Sequence, residues 1–417
     1  MPNVVLLGTL DTKGEEYGFL RDRIEEFGVT TTLVDAGVFE SPSITADIPR
    51  EEVAKAAGSD LAALAAAGDR GAAVEAMSDA AAETVSRLHG EGKVDGIIGL
   101  GGTGGTTLIT KAMRRLPVGV PKVMVSTVAS GDTRPYVGAL DITMMYSVVD
   151  IAGLNTVSRR ILGNAAGAVA GMVTVKIPEP AQAEERPLIG ATMFGVTTPS
   201  VQRARQRLDE RGYEVLVFHA TGTGGQSMEE LARGGLLSGV LDITTTELAD
   251  ELVGGVFSAG PDRLTVAGAH GLPQVVSLGA LDMVNFGGWD TVPPEFRERN
   301  LYKHNATTTL MRTTAEECAE LGRRVAKRLN AATGPVKVFV PLRGVSMIST
   351  EGGPFYDASA DEALIENLKK NLADHIDLQL IDTDVNNEDF AVAMADALAD
   401  LVESTSLDKG EDHHGQK

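Results

Sequence analysis

The amino-acid sequence predicts an α/β protein made of two Rossmann-like, three-layer domains with mainly parallel sheets. Short apolar runs typical of buried strands alternate along the chain with segments of helical spacing. A polar, proline-rich stretch at Pro178–Pro187 interrupts this alternation in the manner of a linker. The tetrapeptide G-T-G-G follows an apolar strand and precedes a helix on both sides of that stretch. We therefore expect an N-terminal domain over residues 1–180, a C-terminal domain over residues 187–403 and a disordered tail over residues 404–417.

The composition restricts the functions open to the chain. Its 417 residues, 43% of them hydrophobic, can bury two cores. The formal net charge of −21 argues against a nucleic-acid or anionic-membrane partner. A single cysteine, Cys318, excludes an internal disulfide and fits a reducing compartment. No basic segment precedes the first apolar run, and no apolar run is long enough to span a bilayer, so we expect a soluble cytoplasmic protein.

The first β-to-α loop carries more functional groups than a turn requires. It joins a buried-type strand at Val4–Gly8 to a segment of helical spacing at Thr12–Phe27. Its functional side chains are those of Thr9, Asp11, Thr12 and Lys13. Lys13 could contact a phosphate, and Asp11 could contact a metal ion or a hydroxyl group. Alternatively, Asp11 or Thr12 caps the helix and Lys13 lies in solvent.

The second strand, Thr30–Val34, ends at Asp35. An acidic residue at the end of a second strand can bind a ribose hydroxyl in dinucleotide-binding folds. The G-x-G-x-x-G fingerprint is absent from the first loop, however, and its absence argues against NAD. Residues 41–92 are Ala-rich and charged, and we expect them to form a helical insertion that packs on the sheet or on a partner subunit.

A glycine-threonine loop follows the next strand. Gly96–Thr107 reads G-I-I-G-L-G-G-T-G-G-T-T, in which an apolar run ends in glycines and a helix then begins. Free N–H groups at a helix N-terminus, the positive end of the helix dipole and the absence of side chains together favour an anion, most often phosphate. The residues concerned are Gly101, Gly102, Thr103, Gly104, Gly105 and Thr106. The alternative is a tight turn that binds nothing, although the glycines exceed what such a turn requires.

A polar loop follows the strand expected at Lys122–Ser126. Because the carboxyl ends of parallel strands meet at one edge of a sheet, this loop should lie beside the glycine loop. We expect it to supply polar ligand contacts from Ser126, Thr127, Ser130, Gly131 and Asp132. Asp132 could also hold magnesium. The structural alternative is a rigid turn pinned by an ion pair between Asp132 and Arg134. A strand at Asp141–Tyr146 and a helix at Ile151–Ala170 complete the domain.

The second domain repeats the alternation of strands and helices. Strands are expected at Leu188–Thr192, Glu214–Phe218, Leu264–Ala269, Val275–Met283, Val336–Pro341 and Leu378–Ile381, and Val240–Thr246 is expected to be a strand that leads into a helix. Helices are expected at Ser200–Arg211, Asp361–Leu372 and Glu388–Val402.

The second G-T-G-G loop could bind an anion of its own. Its residues are Gly222, Thr223, Gly224 and Gly225, and His219 lies just before them. Without a counterpart of Lys13, the loop would hold a single phosphate or carboxylate better than a polyphosphate. The alternative is a turn kept from an ancestral duplication.

Several histidines and one aspartate are candidates for acid–base chemistry or metal binding. His219, His270 and Asp282 could converge on one rim as acid and base partners. Their separations resemble no metal-binding motif, and satisfied structural roles are the alternative. His304 lies in an irregular polar loop, Leu301–Thr308, and receives no role. The pair His413 and His414 lies in the tail, without a scaffold to bind a metal.

Six segments, in this order along the chain, resemble one known family. They are G-T-L-D-T-K at Gly8–Lys13, G-L-G-G-T-G-G-T at Gly99–Thr106, V-S-T-V-A-S-G-D at Val125–Asp132, D-I-T-M-M-Y-S-V-V-D-I-A-G-L-N at Asp141–Asn155, P-L-R-G-V-S at Pro341–Ser346 and F-Y-D at Phe355–Asp357. The family is that of the tomato mosaic virus resistance protein and its bacterial and fungal relatives. The resemblance implies two Rossmann-like domains, ATP in the N-terminal one and a homodimer, but it supplies no reaction.

The resemblance and the residues together lead us to expect an ATP-binding protein. Its phosphates would lie on Gly101–Thr106 with Lys13 as the nearby cation, and magnesium would lie at Asp11 or Asp132. One hypothesis is an enzyme that transfers a phosphoryl or acyl group to a small anionic metabolite between the domains. Another is a regulatory or interaction protein, in which ATP stabilises a conformation or the dimer. NAD-dependent chemistry is a third.

Overall fold

The structure, a computed structural model, describes residues 1–66, 69–176 and 186–412 of the chain. They belong to two compact units, Met1–Glu179 and Pro180–Lys417. Most of the expected linker and the pair His413 and His414 lie outside the described residues. Within the described ranges, no helix combines the length and the apolar character needed to cross a lipid bilayer.

The first unit contains one sheet of five parallel strands. The strands are β1 (Asn3–Gly8), β2 (Thr30–Asp35), β3 (Gly96–Gly101), β4 (Lys122–Ser126) and β5 (Ile142–Tyr146). Their order in the sheet is β2-β1-β3-β4-β5, and every pairing is parallel. The strand order therefore reverses between β1 and β3, which makes this the switch point of a doubly wound fold.

Helices cover both faces of this sheet. They are α1 (Leu10–Glu25), α2 (Arg50–Ala56), α3 (Leu61–Ala66), α4 (Arg70–Gly90), α5 (Thr103–Met113), α6 (Arg134–Val137) and α7 (Thr156–Thr174). Successive strand residues alternate between two cores, so that Leu6 packs with α1 and α7 and Leu7 packs with α4 and α5. Because α1 and α5 cover opposite faces, the loops after β1 and β3 diverge and leave a crevice between them.

The helical segment at residues 41–92 packs on the sheet, as expected, but it is not simply an insertion. Met77, Ala81 and Val85 of α4 are fully buried in the same core as Leu7 and Ile97. The helix α4 is the connection that carries the chain from β2 to β3, and such a parallel connection needs a helix of this kind. Among the described helices of this segment, α2 and α3 are additions to the basic fold.

The second unit contains a sheet of six parallel strands. They are β6 (Leu188–Met193), β7 (Glu214–His219), β8 (Gly239–Thr244), β9 (Gln274–Gly279), β13 (Val336–Pro341) and β14 (Asp377–Ile381). The order is β14-β13-β9-β8-β6-β7. A separate antiparallel sheet joins β10 (Met283–Phe286), β11 (Leu301–Lys303) and β12 (Thr309–Arg312). Both units are thus Rossmann-like, and the predicted fold class is confirmed.

The helices of the second unit differ from the predicted ones at three places. They are α8 (Thr198–Glu210), α9 (Thr223–Arg233), α10 (Glu247–Val253), α11 (Val266–Ala269), α12 (Ala315–Asn330), α13 (Ala358–Asn371) and α14 (Glu388–Asp412). The strand expected at Leu264–Ala269 is wrong, because Glu229 accepts hydrogen bonds from the N–H groups of Leu264 and Val266 and fixes a turn that opens α11. The sequence reading missed α12. The tail expected from residue 404 is helical as far as Asp412.

Candidate functional site

A cavity of about 350 Å³ lies at the switch point of the first unit. The structure brings eight of the predicted residues into its wall: Thr9, Asp11, Thr12, Lys13, Gly101, Gly102, Gly104 and Gly105. The rest of the lining is mainly apolar and was not foreseen from the sequence. It consists of Ala36, Val38, Phe39, Val74 and Leu108 and one acidic residue, Glu40, from the segment after β2 and from α4 and α5. The cavity therefore combines a polar, glycine-rich wall with an apolar one.

The first turn of α5 supplies hydrogen-bond donors to this cavity. Gly102 is the residue before the helix and provides no side chain to cap it. The N–H of Thr106 donates to the carbonyl of Gly102 at 2.8 Å, whereas those of Thr103, Gly104 and Gly105 have no acceptor among the described residues. Three backbone donors at the positive end of a helix dipole are thus available to an anion.

The glycines of this loop are not explained by the backbone or by packing. Neither Gly102 nor Gly104 nor Gly105 has a positive φ. A Cβ atom added at Gly104 would meet nothing within 4 Å, and one at Gly102 or Gly105 would meet its nearest neighbour at 3.7 Å. Only Gly101 is crowded, because Gly105 Cα would lie 3.0 Å from its Cβ. A tight turn alone therefore does not account for the sequence, and an open surface for a ligand does.

Lys13 and Asp11 hold the other side of the cavity in place. Lys13 departs from helical geometry, with φ −131° and ψ 17°, and its Nζ donates to the carbonyl of Ile151. The Oδ2 atom of Asp11 accepts hydrogen bonds from the N–H groups of Val38 and Phe39, each at 3.2 Å. Its Oδ1 atom is buried and has no hydrogen-bond partner among the described residues. Neither side chain has the role that the helix-cap alternative assigned to it.

The hydroxyl groups at Thr9 and Thr12 contact each other, with 2.9 Å between their Oγ1 atoms. Thr9 is the residue before α1, but its side chain makes no capping hydrogen bond. Thr9 and Gly102, the residues before the two helices that flank the crevice, thus make no side-chain capping hydrogen bond.

Asp35 braces the loops and does not line the cavity. Its side chain is buried, and Oδ1 accepts hydrogen bonds from the N–H groups of Leu10 at 3.1 Å and Gly37 at 2.8 Å. Burial raises the pKa of this carboxyl group. The expectation that Asp35 binds a ribose hydroxyl is not supported, because its Oδ1 atom already accepts hydrogen bonds from the backbone N–H groups of Leu10 and Gly37.

The polar loop after β4 has a structural role in most of its length. Ser126 is buried and shares a hydrogen bond with Thr106 Oγ1 at 2.7 Å, so these two side chains join β4 to α5 beneath the glycines. Thr127 lies closer to the cavity, since its Oγ1 would be 3.7 Å from a Cβ at Gly102. Ser130 and Gly131 are exposed and are not part of the cavity wall.

Asp132 does not meet the expectation of a magnesium ligand. Both of its carboxylate oxygens accept hydrogen bonds from Arg134, at 2.9 Å each, and this guanidinium group lowers the pKa of Asp132. The turn pinned by an ion pair is therefore what the structure contains. Among the described residues, no group of three or more His, Cys, Asp or Glu side chains is arranged to hold a metal ion.

Two neighbouring residues of α1 that sequence reasoning missed hold the crevice open. The hydroxyl of buried Tyr17 donates to the carbonyl of Leu7 and accepts from the N–H of Leu100 at 3.0 Å. It therefore links β1 and β3 where the two strands part. Burial raises the pKa of Tyr17, which keeps its hydroxyl protonated and able to donate. Glu16, also buried, accepts a hydrogen bond from the N–H of Gly153 at 2.6 Å. Helical spacing marks Tyr17 as a core residue but does not reveal the role of its hydroxyl.

The second G-T-G-G loop differs from the first because the protein fills it with its own anion. Glu247 Oε1 accepts hydrogen bonds from the N–H groups of Gly222 at 2.7 Å and Gly225 at 3.0 Å. A Cβ atom at Gly224 would lie 1.9 Å from the carbonyl oxygen of His219, and Gly222 has a φ of +85°. Glu247 thus takes the Gly222 and Gly225 amides that the expected second anion would use, which argues against that site.

Glu247 belongs to a buried ionic cluster. Its Oε2 atom accepts a hydrogen bond from Arg263 Nε at 2.6 Å, and the same guanidinium group pairs with Asp242 and Glu229. Arg263, Glu247 and Asp242 have almost no exposed side-chain surface. The cluster ties α9, α10 and β8 together, and its role is structural.

The proposed acid and base partners do not converge. His270 Nδ1 contacts the carbonyl of Val266 in its own helix at 2.9 Å, and the ring of His219 lies beside that of Phe194. Asp282 is buried and accepts a hydrogen bond from Ser346 Oγ at 2.8 Å. No contact joins these three side chains within the part of the chain that the structure describes. His304 follows β11 and is exposed.

Comparison with known proteins places both units in one family. Residues 2–178 match the N-terminal domain, and residues 186–402 the C-terminal domain, of the uncharacterised protein family UPF0261. The chain is 54% identical to a UPF0261 protein of Clostridium tetani, over 96% of this chain and 99% of that protein. It is 40% identical to a ToMV resistance protein of Solanum lycopersicum, over 96% of this chain but only 56% of the tomato protein.

Solved structures add little to this comparison. A putative UDP-N-acetylglucosamine 2-epimerase from Listeria monocytogenes aligns over 66% of this chain and 78% of its own, with 10% identity and a TM-score of 0.24. A similarity with so low an identity and TM-score gives no information about function. The fold assignment therefore depends on the strand order and the parallel pairing described above.

Proposed function

The chain belongs to the UPF0261 family, and we propose that it is an ATP-binding protein. Its nucleotide would lie in the switch-point cavity of the first unit. The observation that carries the proposal is the difference between the two G-T-G-G loops. In the second unit the carboxylate of Glu247 accepts hydrogen bonds from two of the loop amides, those of Gly222 and Gly225, whereas in the first unit the amides of Thr103, Gly104 and Gly105 have no acceptor among the described residues. A loop of the same sequence, left without an internal anion, is suited to an external one.

The residues of the cavity fit the phosphates of a nucleotide. Three backbone N–H groups are available, the positions of the missing side chains are open, and Lys13 lies in the same wall. A cation beside the phosphates is expected to strengthen binding in proportion to their charge. The apolar wall formed by Val38, Phe39, Val74 and Leu108 suits the planar base.

Bound ATP would supply a phosphoryl group for hydrolysis or transfer, while the chain's own residues bind and orient it. Of the two carboxylates considered for magnesium, Asp11 is the one in the cavity wall, and its Oδ1 atom is free of other hydrogen bonds in the described chain. One carboxylate together with phosphate oxygens and water is a usual set of magnesium ligands. We propose Asp11 for this role and withdraw Asp132.

The hypothesis of a second anionic substrate loses its main support, because Glu247 occupies the loop that was expected to hold it. A nucleotide-binding protein in which ATP stabilises a conformation or a homodimer is therefore the simpler proposal. A cytoplasmic location is part of it, since the single cysteine, Cys318, is buried and unpaired.

Calorimetric titration of the protein with ATP, ADP, AMP and NAD, with and without magnesium, tests the proposal. We expect the affinity to decrease from ATP to AMP, because the charge near Lys13 decreases, and we expect NAD to bind more weakly than ATP. Equal affinity for ATP and AMP, or no binding of ATP, would refute it. Measuring ATP consumption in the same samples distinguishes an enzyme from a binding protein.

A further inference from the structure

A basic cavity of about 660 Å³ lies in the second unit, away from the residues discussed so far. One wall is the exposed side of α12, with Arg323, Arg324, Lys327 and Arg328. The other wall includes Pro261 and Thr265. Four cationic side chains around one cavity are unexpected in a chain whose formal net charge is −21.

The acidic residues of the cavity do not balance these cations. Glu320 is shared by Arg323 at 2.9 Å and Arg324 at 3.0 Å, and Glu251 is shared by Arg324 at 2.6 Å and Arg328 at 3.7 Å. Lys327 has no carboxylate within ion-pair distance in the described ranges. Four cations against two carboxylates leave the lining with an excess of two positive charges.

The guanidinium group of Arg328 is incompletely satisfied by the protein. Its Nη2 atom donates to the carbonyl of Pro261 at 3.2 Å, but its Nη1 atom is buried and has no hydrogen-bond partner among the described residues. Burial lowers the pKa of Arg328; Glu251 partly offsets this, and the positive charges of Arg324 and Arg263 lower the pKa further. An added anion would relieve this repulsion.

The helix dipole explains only part of the arrangement. Lys327 and Arg328 lie in the last turn of α12, where cations are favourable. Arg323 and Arg324 lie one turn earlier, and each has a second cation four residues away, which is an unfavourable spacing on a helix. A ligand that carries several negative charges would make this spacing favourable.

We propose that this cavity binds a small phosphate-bearing molecule. Guanidinium groups match phosphate oxygens in geometry, and the two uncompensated charges match a phosphate dianion better than a single carboxylate. The volume is within the range of small-molecule sites. All of its lining residues belong to the second unit, whereas those of the nucleotide cavity belong to the first.

Titration of the full chain with inorganic pyrophosphate tests the proposal, and the Gly104→Val background removes the contribution of the first unit. We expect saturable binding in that background. Lys327→Gln should weaken it about tenfold, since one charge-assisted contact is lost. Lys327 is exposed and has no ion-pair partner in the described chain, so the substitution leaves the fold intact, which circular dichroism checks.

Lys303→Gln is the matched control, because it removes the same charge from an exposed position of the same unit outside the cavity. Its affinity for pyrophosphate should equal that of the parent. The proposal is overturned if pyrophosphate does not bind in the Gly104→Val background, or if Lys327→Gln and Lys303→Gln have equal effects.

Discussion

At the scale of single residues, the nucleotide proposal depends on glycines, whose lack of a side chain leaves the loop open. Gly102, Gly104 and Gly105 have neither positive φ nor close neighbours, so alanine would fit the protein at these places. In the second unit the reverse holds, since Gly222 has a positive φ and a Cβ atom at Gly224 would clash with the backbone of His219. The same G-T-G-G sequence therefore satisfies packing in the second unit and leaves a surface open in the first.

Lys13→Met should weaken ATP binding about tenfold and AMP binding less, because an ammonium group contributes in proportion to the phosphate charge near it. Calorimetry with both nucleotides measures the difference. Lys111→Met is the control, since Lys111 pairs with Asp79 and is not part of the cavity wall, and its nucleotide affinities should not change. Equal losses for ATP and AMP in Lys13→Met would place the lysine away from the phosphates.

Residue roles that need tertiary contacts were not accessible from the sequence. The residue types at Asp11, Lys13 and the glycines indicated a polar site, and the structure does bring them into one cavity. The sequence could not show that Asp35 is bonded to backbone amides or that Asp132 is held by Arg134. Such assignments depend on which partner the fold brings within hydrogen-bond distance.

At the scale of elements, the helix N-termini differ in what satisfies their first amides, and α2, α8, α10 and α11 make no side-chain capping hydrogen bond. The helices α4, α7, α12 and α13 each have a side chain that caps the first turn. The helix α9 has the Glu247 carboxylate in place of a cap. The helix α1 has the Asp35 carboxylate, which accepts from the N–H of Leu10, whereas α5 has neither a side-chain cap nor a substitute carboxylate among the described residues. An uncapped helix end at a switch point is suited to an anionic ligand.

Glu247→Ala should destabilise the second unit by about 3–5 kcal/mol, because it leaves Arg263 without one of its buried partners and the Gly222 and Gly225 amides without an acceptor. Urea unfolding measures the loss. Glu230→Ala removes a partly exposed glutamate paired with Arg233 and should cost less than about 1 kcal/mol. Similar losses of unfolding free energy for both variants would show that the hydrogen bonds from the loop amides to Glu247 do not stabilise the second unit.

Elements were predictable where hydrophobic spacing alone decides them. Buried parallel strands such as β1 and β3 read as continuous apolar runs, and they were placed to within a residue or two. Leu264–Ala269 has the same appearance but is turned into α11 by Glu229, a residue far away in the chain. The helix α12 was missed although Thr314 and Glu317 form a capping box that its sequence displays.

At the scale of the whole molecule, buried carboxyl groups make the stability of the second unit depend on pH. Burial raises the pKa of Asp250 to about 7 and that of Asp282 to about 6. A carboxyl group whose pKa is higher in the folded chain than its ordinary value of about 4 contributes its full stabilisation at pH values below about 4. This contribution is lost as the pH rises through the pKa of the folded state.

Asp250→Asn should therefore reduce the fall in unfolding free energy between about pH 5 and pH 7.5, because an amide does not titrate. The substitution is tolerated sterically, and the amide of Asn285, whose Oδ1 has no partner in the described chain, can reorient to accept from it. Urea unfolding at several pH values gives the slope. The exposed Asp290→Asn serves as the control and should keep the slope of the parent; an unchanged slope in Asp250→Asn would contradict the assignment.

The central claim is that the amides at the start of α5 bind the phosphates of ATP. Its most direct test is the ATP affinity of Gly104→Val, measured by calorimetry beside Gly163→Val, whose added side chain is equally free of neighbours but lies on α7, on the opposite face of the sheet. We predict that Gly104→Val binds ATP at least about tenfold more weakly with an unchanged circular dichroism spectrum, while Gly163→Val binds it normally. Unchanged ATP affinity in a folded Gly104→Val protein would contradict the claim.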